Sequence, residues 1–347
     1  MAMTIVEAAR AVTGGVDTHL DVHVAAALDP VGGLLGTEGF TADPAGYRAM
    51  LSWLEAFGEV AKVGMEGTGS YGAGLARFLR RQGIEVVEVD RQSRQARVRH
   101  GRSDPIDAVE AARATLAGRA SQPKSMDGAV EAIRVLVVAK RSARQARSKA
   151  LTQMRHLGYT APDQLRCRLK GLTIPALIAE AAALRPTRSP DPVTAGTKAS
   201  ISSLARRVRF LDVEIAGLDE LIEPLLFATA PDLLALKGVG PDTAASLLIT
   251  AGDNPERLRS EAAWAHLCGV SPIQASSGKV TRHRHNRGGD RQANSALWRI
   301  VMVRIAHDPD TKAYIERRVK EGRSKREVIR ILKRYVAREV YRHLPRG

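Results

Sequence analysis

The strongest constraint on the fold is the order of the periodic segments in the first 125 residues. Two stretches with β-branched residues and period-2 patterning are followed by a third predicted strand, which is entered through a turn at 29–33, and helical and strand patterns then alternate. The predicted strands are Val12–His19, Val22–Leu28, Leu34–Thr41, Ala61–Met65 and Ile84–Val89. Helices are predicted to begin near Pro44, Tyr71 and Pro105, with Asp43 as one N-cap and Ser103 or Asp104 as another. This order predicts an α/β domain over residues 1–125.

The rest of the chain is predicted to be mainly α-helical. A linker at 121–128 precedes a long helix at 129–157, and a proline-rich stretch at 161–197 separates that helix from a second one. Apolar residues spaced by three and four, the a/d pattern of a coiled coil, run along the second helix at Ile201, Leu204, Val208, Leu211, Ile215, Leu218, Ile222 and Leu225. The seam fits pairing with the preceding helix or with another protomer, and it also fits one face of an ordinary bundle. We expect a basic coiled-coil domain at 129–228 and a helical domain at 230–347.

The charge distribution favours a polyanionic partner. The chain has 53 Lys and Arg against 37 Asp and Glu, a formal net charge of +16. Residues 1–89 are net acidic, whereas 134–170 and 279–347 are strongly basic. An acidic head followed by two basic tracts indicates a catalytic domain joined to parts that bind nucleic acid. A protein that is merely basic is the alternative.

Four acidic residues follow a pattern that suits metal-dependent phosphodiester chemistry. Asp17 lies near the end of the first predicted strand, and Glu66 directly follows the fourth. Asp104 and Asp107 stand three residues apart at the start of a helix, so both carboxylates share one face. Each residue alone also fits a cap or turn role. Together they offer the oxygen ligands that a pair of Mg²⁺ or Mn²⁺ ions requires.

Two C-terminal segments are candidates for contact with nucleic acid. The segment LKGVGP resembles a helix-hairpin-helix turn, in which backbone N–H groups around Gly238 and Gly240 hold a phosphate, although a plain turn between helices also fits. Further on, Ser276 and Ser277 precede a basic run that contains Lys279, Arg282, Arg284 and Arg287. A serine beside cations suits either nucleophilic attack on a phosphate or simple phosphate binding. The HxH formed by His283 and His285 fits phosphate contact better than zinc.

The last predicted helix, at 324–341, is amphipathic. We expect its apolar stripe in the core and its basic residues on a nucleic-acid surface, namely Arg326, Arg330, Lys333, Arg334 and Arg338. Cys167 and Cys268 stand far apart without metal-ligand spacing, which favours a reducing compartment. With no signal-peptide pattern and no apolar run of about 20 residues, we expect a soluble, cytoplasmic protein that does not contact membranes.

Three N-terminal blocks, GVDTH, GMEGTGSYG and SDPIDAVEAAR, resemble the DEDD motif of the RuvC-like insertion-sequence transposases, a family that includes the Piv and MooV recombinases. The C-terminal segment that runs from LLALKGVGP through SSGK to NSALW is similar to the second domain of the same family. The resemblance implies an RNase H-like, RuvC-like first domain, a fold whose element order matches the one predicted above. It also implies that Asp17, Glu66, Asp104 and Asp107 bind the metal ions. Ser276 would be the nucleophile, with Ser277 as the other candidate because the usual SGGK appears here as SSGK.

The predicted function is therefore cleavage and rejoining of DNA strands by an insertion-sequence transposase. The resemblance further implies a guide RNA encoded by the element and a site composed between protomers, which makes a homo-oligomer the expected assembly. Two other functions fit parts of the pattern. A Holliday-junction resolvase would use the acids and water without the serine, and an architectural DNA-binding protein would use only the hairpin and the coiled coil.

Overall fold

The computed structural model describes residues 10–90, 103–186, 191–280, 283–284 and 286–345. The chain forms two compact units. The first contains the residues up to Gly128 together with Gly252–Arg257, and the second contains Ala129–Ala251 and the residues from Leu258 onward. The division of the second unit into a middle domain and a C-terminal domain stays a prediction.

A five-stranded sheet forms the centre of the first unit. Its strands are β1 (Ala11–Thr18), β2 (Val22–Leu28), β3 (Leu34–Thr41), β4 (Glu59–Met65) and β5 (Glu85–Glu88), in the order β3-β2-β1-β4-β5. The first three strands pair antiparallel, and β1-β4 and β4-β5 pair parallel. Among the described residues, the helices that accompany the sheet are α1 (Pro44–Glu55), α2 (Ala73–Arg81) and α3 (Asp104–Leu116). The predicted α/β class is confirmed.

Successive residues of β1 point to opposite faces of the sheet, and different helices cover those two faces. Val12 and Val16 are buried in one core with residues of α1, α2 and β4. Gly15 points to the opposite face, where α3 lies so close that an added Cβ would stand 2.2 Å from the backbone nitrogen of Ala112. Asp17 has the same parity as Gly15. The sheet therefore directs Asp17 to the face that α3 covers.

Short local signals define the ends of several elements. Asp43 accepts hydrogen bonds from the backbone N–H groups of Ala45 (2.8 Å) and Gly46 (2.9 Å), which confirms it as the N-cap of α1. The linker after α3 is fixed by Asn254, whose side chain accepts from the Ser125 N–H (3.0 Å) and donates to the Pro123 carbonyl (2.9 Å). The segment 252–257 thereby becomes part of the first unit.

The second unit is almost entirely helical, as predicted. Its helices are α4 (Ala129–Tyr159), α5 (Asp163–Leu169), α6 (Ile174–Ala182), α7 (Pro192–Thr229), α8 (Pro231–Leu234), α9 (Pro241–Ala251), α10 (Glu261–Leu267), α11 (Arg291–His307), α12 (Pro309–Lys320) and α13 (Lys325–Arg342). A small hairpin of β6 (Ile273–Gln274) and β7 (His283–Arg284) lies between α10 and α11.

The predicted apolar seam lies along α7, which packs antiparallel to α4. Near one end, Ile201 and Val208 share a core with Met154 of α4, and near the other Ile222 shares a core with Ile133. The seam thus pairs with the preceding helix of the same chain. A coiled coil with a second protomer stays a prediction.

Part of the basic sequence is used inside the second unit. Lys140 of α4 is buried and pairs with Asp219 and Asp242, and Arg147 pairs with Asp212. The terminal helix also departs from the prediction of one basic surface. Lys333 is buried, and Arg334 and Arg338 both form ion pairs with Glu261. The number of Lys and Arg residues in the two basic tracts is therefore larger than the number that a polyanion can contact, because some of them are buried or paired with acidic residues of the same unit.

Among the residues that the structure describes, no helix combines the length and the apolar character needed to cross a membrane.

Candidate carboxylate site and serine hairpin

Asp17 and Glu66 occupy equivalent positions on two neighbouring parallel strands. Val16 of β1 is in register with Met65 of β4, so each acid follows a paired residue. The Glu66 N–H donates to the Val16 carbonyl at 3.2 Å, and the Thr18 hydroxyl donates to the Glu66 carbonyl at 2.8 Å. These bonds continue the pairing beyond the end of β4. They hold the two acidic residues side by side at the carboxyl edge of the sheet.

Helix α3 brings the other two acids to the same edge. Asp104 stands one turn before Ala108 and Asp107 one turn before Ala111, and both alanines are buried against the sheet. Because residues four apart share a helix face, both carboxylates start from the sheet side of the first turn. The close approach that positions them depends on Gly15, as described above, and on Gly64 of β4, where an added Cβ would meet the Thr115 hydroxyl at 1.7 Å.

The side chains of Asp17 and Asp104 converge on His19. Asp17 Oδ2 lies 3.1 Å from His19 Nε2, and Asp104 Oδ1 lies 3.5 Å from the same nitrogen. Ligand atoms of these three residues all lie within 4.8 Å of one another. Asp17 is nearly buried, whereas Asp104 is more than half exposed, so the group is open to solvent on one side. Within the described residues, this group does not extend to Glu66 or Asp107.

His19 is the site residue that the sequence analysis missed. It stands two residues after Asp17 in the motif GVDTH, just beyond β1, and this proximity was the available signal. Its backbone N–H donates to His23 Nδ1 at 3.3 Å, and His23 is buried and stacked on Tyr47 with 5.8 Å between ring centroids. Burial, followed by repulsion from His19, lowers the pKa of His23 against the opposing effect of Asp17. A neutral, rigid His23 thus supports the turn that carries His19.

The donor set fits a divalent cation. Carboxylate oxygens are preferred by Mg²⁺ and Mn²⁺, and a neutral imidazole nitrogen is a common ligand of transition-metal ions. Ligand atoms around one ion at about 2.1 Å lie within about 4.2 Å of one another, close to the spacing of this group. Asp17 and Asp104 are the residues that would hold an ion.

Ser276 and Ser277 lie at the tip of the β6-β7 hairpin. Ser277 and Val280 exchange two backbone hydrogen bonds, of 3.2 and 3.1 Å, which closes a two-residue turn. Gly278 occupies the first central position with φ of +56°, as a type II′ turn requires. Both serines are exposed, and the Gln274 side chain donates to Ser276 Oγ at 3.5 Å. The hairpin therefore presents both hydroxyls to solvent.

Cations surround this hairpin in the part of the chain that the structure describes. Lys279, Arg284 and Arg287 are exposed. Arg282 and His285 lie outside the described residues. The exposed cations and the serines form a surface on which a phosphate can approach a hydroxyl group.

Gly238 and Gly240 lie in the connection between α8 and α9, as predicted for a hairpin. The Gly240 N–H donates to the Thr243 hydroxyl at 3.0 Å, so a phosphate at this amide would have to replace that bond. At the start of α9, burial alone would raise the pKa of Asp242, but hydrogen bonds from Lys140 and Arg144 outweigh it and lower the pKa. Phosphate binding at this turn stays a prediction.

Two family models match the chain in the regions that carry these features. Residues 14–157 match the model of the DEDD transposases of the IS110 type, and residues 230–316 match the transposase IS116/IS110/IS902 family. The four predicted acids lie in the first region, and the serine hairpin lies in the second. The two matches place the chain in the class of the DEDD insertion-sequence transposases. The chain belongs to the IS110 family of these transposases.

Curated relatives agree with this assignment. The chain is 25% identical over 193 residues to the insertion element IS900 uncharacterized 42 kDa protein of Mycobacterium paratuberculosis, a match that covers 51% of this chain and 48% of the relative. It is 31% identical over 135 residues to the insertion element IS110 uncharacterized 43.6 kDa protein of Streptomyces coelicolor, covering 39% and 32%. The chain thus spans about half or less of the length of the curated relatives it matches.

Proposed function

We propose that this protein is a recombinase that cuts and rejoins DNA strands when an insertion sequence moves. Its first unit would be a RuvC-like domain in which Asp17, Glu66, Asp104 and Asp107 hold Mg²⁺ or Mn²⁺. The observation that carries the proposal is the convergence of Asp17 and Asp104, which come from a strand end and a helix start 87 residues apart, within 4.8 Å. Like charges so close are destabilising unless a positive charge or a hydrogen-bond donor lies between them. His19 Nε2 lies between them here, and a bound divalent cation would take over that role.

The first unit supplies the geometry for handling a phosphodiester. The nearly buried Asp17 is held in place by His19, and the exposed Asp104 stands at the mouth of the group. A bound divalent ion would neutralise charge on the oxygens of the scissile phosphate. The close contact of α3 with the sheet would keep Asp104 beside Asp17 while an ion binds.

Ser276 would act as the nucleophile in the second unit. Its oxygen forms a new bond to the scissile phosphorus, the bond from phosphorus to the departing DNA oxygen breaks, and the proton of the serine hydroxyl passes to water or a carboxylate. The departing oxygen takes up a proton and becomes a free hydroxyl end. Attack by a second DNA hydroxyl on the phosphoserine would reverse these steps and rejoin the strands. Lys279 and Arg284, both exposed on the hairpin, would stabilise the additional negative charge.

The proposal extends to the partners of the protein. DNA ends of the element and target DNA would be the substrates, an element-encoded guide RNA would direct the choice of target, and a homo-oligomer would assemble through α7. Exposed cations along α4, including Lys149 and Arg155, support a nucleic-acid partner for the second unit.

The decisive experiment looks for a covalent protein–DNA adduct. Purified protein is incubated with labelled element ends, Mg²⁺ and any RNA that copurifies, and the products are separated on a denaturing gel. We expect an adduct that disappears in Ser276→Ala and in Asp17→Asn. Asp21→Asn is the matched control, because Asp21 is an exposed acid in the turn after β1 that lies outside the carboxylate group.

Other outcomes identify the rival functions. An adduct that persists in Ser276→Ala and disappears in Ser277→Ala would move the nucleophile by one residue. Nicked DNA without an adduct, unaffected by either serine substitution, would indicate a water-using resolvase. DNA binding without any strand cleavage would indicate an architectural protein.

A further inference from the structure

Lys333 of α13 is a buried cation without an acidic partner. Only 7% of the residue is exposed. Its Nζ donates to Asn294 Oδ1 at 2.8 Å, and the amide nitrogen of Asn294 donates to the carbonyls of Cys268 (2.9 Å) and Gly269 (3.2 Å). Those two bonds fix the orientation of the Asn294 amide, so its oxygen is the atom presented to the ammonium. Among the described residues, no carboxylate lies within 4.0 Å of Lys333 Nζ.

This environment is costly for an ammonium group. Removing an ion from water is unfavourable unless an opposite charge and hydrogen bonds replace its hydration, and a single amide oxygen replaces little of it. Burial, together with repulsion from Arg330, lowers the pKa of Lys333. A ligand that brings negative charge would relieve both effects. Lys140, buried to the same degree, meets two carboxylates instead.

Two cavities meet at Lys333. Their volumes are about 320 and 390 Å³, within the range of small-ligand sites, and Gly269, Asn286 and Lys333 line both of them. The first cavity also contains Arg284 of β7 and Arg330, and the second also contains Arg287, Arg291 and Trp298. No acidic side chain among the described residues lines either cavity. Arginines therefore extend the positive charge of Lys333 to both sides.

Two loops that line the cavities are in close contact with each other. A Cβ added at Gly289 would lie 2.3 Å from the backbone nitrogen of Gly269, so these two stretches of backbone lie against each other with no side chain between them. Asn286, also buried, donates to the His266 carbonyl at 3.0 Å and accepts from the Gly288 N–H at 2.9 Å. These fixed contacts form a preorganised site.

We propose that the cavities at Lys333 bind one nucleotide of an unpaired nucleic-acid strand, with its phosphate on Lys333 and its base on Trp298. A phosphodiester supplies the missing negative charge. Trp298 is about half exposed and faces the second cavity, where a base could stack on the indole. A base can reach this ring only from a strand that is unpaired, because the faces of paired bases are covered by their neighbours.

The location of the site connects it with the serine hairpin. Arg284 lines the first cavity and is in register with Ile273 of β6, three residues before Ser276. Three residues of extended chain span about 10 Å, the length of a few nucleotides at most. The inference thus deepens the proposed function and rests on it: the nucleotide held at Lys333 would belong to the strand presented to the serine.

Binding without chemistry tests the proposal. Labelled single strands of DNA and of RNA, each of about 12 nucleotides, and a DNA duplex of equal length are titrated into Ser276→Ala protein in the absence of divalent ions. We expect Lys333→Met to weaken single-strand binding about tenfold and to reduce the salt slope by about 0.7. Trp298→Leu should weaken it by about tenfold as well. Single-strand binding should also quench tryptophan fluorescence, and Trp298→Phe should abolish that quenching.

Arg81→Gln is the control for loss of one charge. Arg81 is the last residue of α2, lies outside both basic tracts, is exposed and lines neither cavity, and its substitution removes the same unit charge. We expect it to change binding by less than about threefold. If Lys333→Met fails to fold, as judged by circular dichroism, Trp298→Leu decides the question. The proposal is wrong if both cavity variants bind like Arg81→Gln, or if duplex DNA binds as tightly and quenches as much as a single strand.

The remaining outcomes separate the source of the strand and the fate of the proposed function. Tighter binding of the RNA probe would indicate that the site holds a guide RNA, and tighter binding of the DNA probe would indicate a DNA strand. Equal binding would indicate that the site recognises the phosphate and base that both nucleic acids share. Wild-type protein that forms the Ser276 adduct while the cavity variants bind normally would refute only the nucleotide site. Loss of binding in the cavity variants of a protein that forms no adduct would refute only the recombinase function.

Discussion

Replacing Gly15 with alanine tests how the carboxylates are held together. The added Cβ would stand 2.2 Å from the backbone nitrogen of Ala112 and 2.3 Å from the carbonyl oxygen of Ala108. Both atoms belong to the backbone of α3, so no side-chain rotation can relieve the contact. The helix must move away from β1 by about 0.8 Å to restore 3.0 Å, the shortest separation that real Cβ atoms show.

That displacement has a cost in both stability and function. A gap of 0.5–1 Å removes about a quarter to a half of the dispersion energy between the facing surfaces, and overpacking costs about 1–3 kcal/mol. Because the clash involves backbone, we expect Gly15→Ala to lower the free energy of unfolding by about 3 kcal/mol. Asp104 stands one turn before Ala108 and moves with the helix. A shift near 1 Å in this carboxylate should reduce strand cleavage about 100-fold.

Gly14→Ala is the matched control in the same strand. Its Cβ points to the opposite face, where the nearest atoms are side-chain ends, Val63 Cγ2 at 3.1 Å and Leu54 Cδ1 at 3.4 Å. We expect a change below about 1 kcal/mol, since these side chains can move and alanine is favoured over glycine in a strand. Urea denaturation followed by circular dichroism measures stability, and calorimetry measures Mn²⁺ binding. Equal stability of the two variants would refute the direct contact of α3 with β1.

Two further predictions concern buried titratable groups. Lys140→Met should lower the free energy of unfolding by about 3 kcal/mol because it leaves Asp219 without this cation and Asp242 with Arg144 alone. Lys333→Met should cost about 1 kcal/mol because it leaves one neutral amide oxygen. Equal losses in urea denaturation would contradict the different environments of the two lysines. The pKa of His23 is lowered by burial, so below pH 6.5 the unfolded chain binds a proton that the folded protein does not, and stability should fall with falling pH there. His23→Phe should reduce that fall, and an unchanged pH profile in this variant would show that other groups cause it.

The N-terminal elements could be predicted from sequence because their signals are local. Period-2 patterning predicts β2 and the turn at 29–33 predicts the start of β3, both with the observed bounds, and Asp43 caps α1 through its own side chain. β4 begins at Glu59, two residues before the predicted start at Ala61. The reason is not local, since Glu59 joins the sheet through its N–H, which donates to the Arg10 carbonyl at 2.9 Å. Pairing with a distant strand extended β4 beyond its apolar run.

The candidate site was predicted in part. The sequence identified Asp17 and Asp104, because acids at a strand end and a helix start follow a recognisable order. It did not identify His19, whose role depends on a turn that folds its ring between two carboxylates. Nor could it tell that Lys333 is buried, because helical periodicity places it among exposed arginines. Only the packing of α13 against α11 shows which member of a basic face points inward.

Close backbone contact is the common physical cause of both candidate sites. In the first unit, Gly15 and Gly64 let α3 lie directly on the sheet, which brings Asp104 to Asp17. In the second, Gly269 lies against the loop after β7, and its carbonyl orients the side chain that contacts Lys333. Larger residues at these positions would push the backbones apart. In the first unit this would move Asp104 away from Asp17, and in the second it would move the Asn294 side chain that contacts Lys333. In this protein, therefore, glycines that contact no ligand determine which charged groups meet, and their substitution should impair function before it prevents folding.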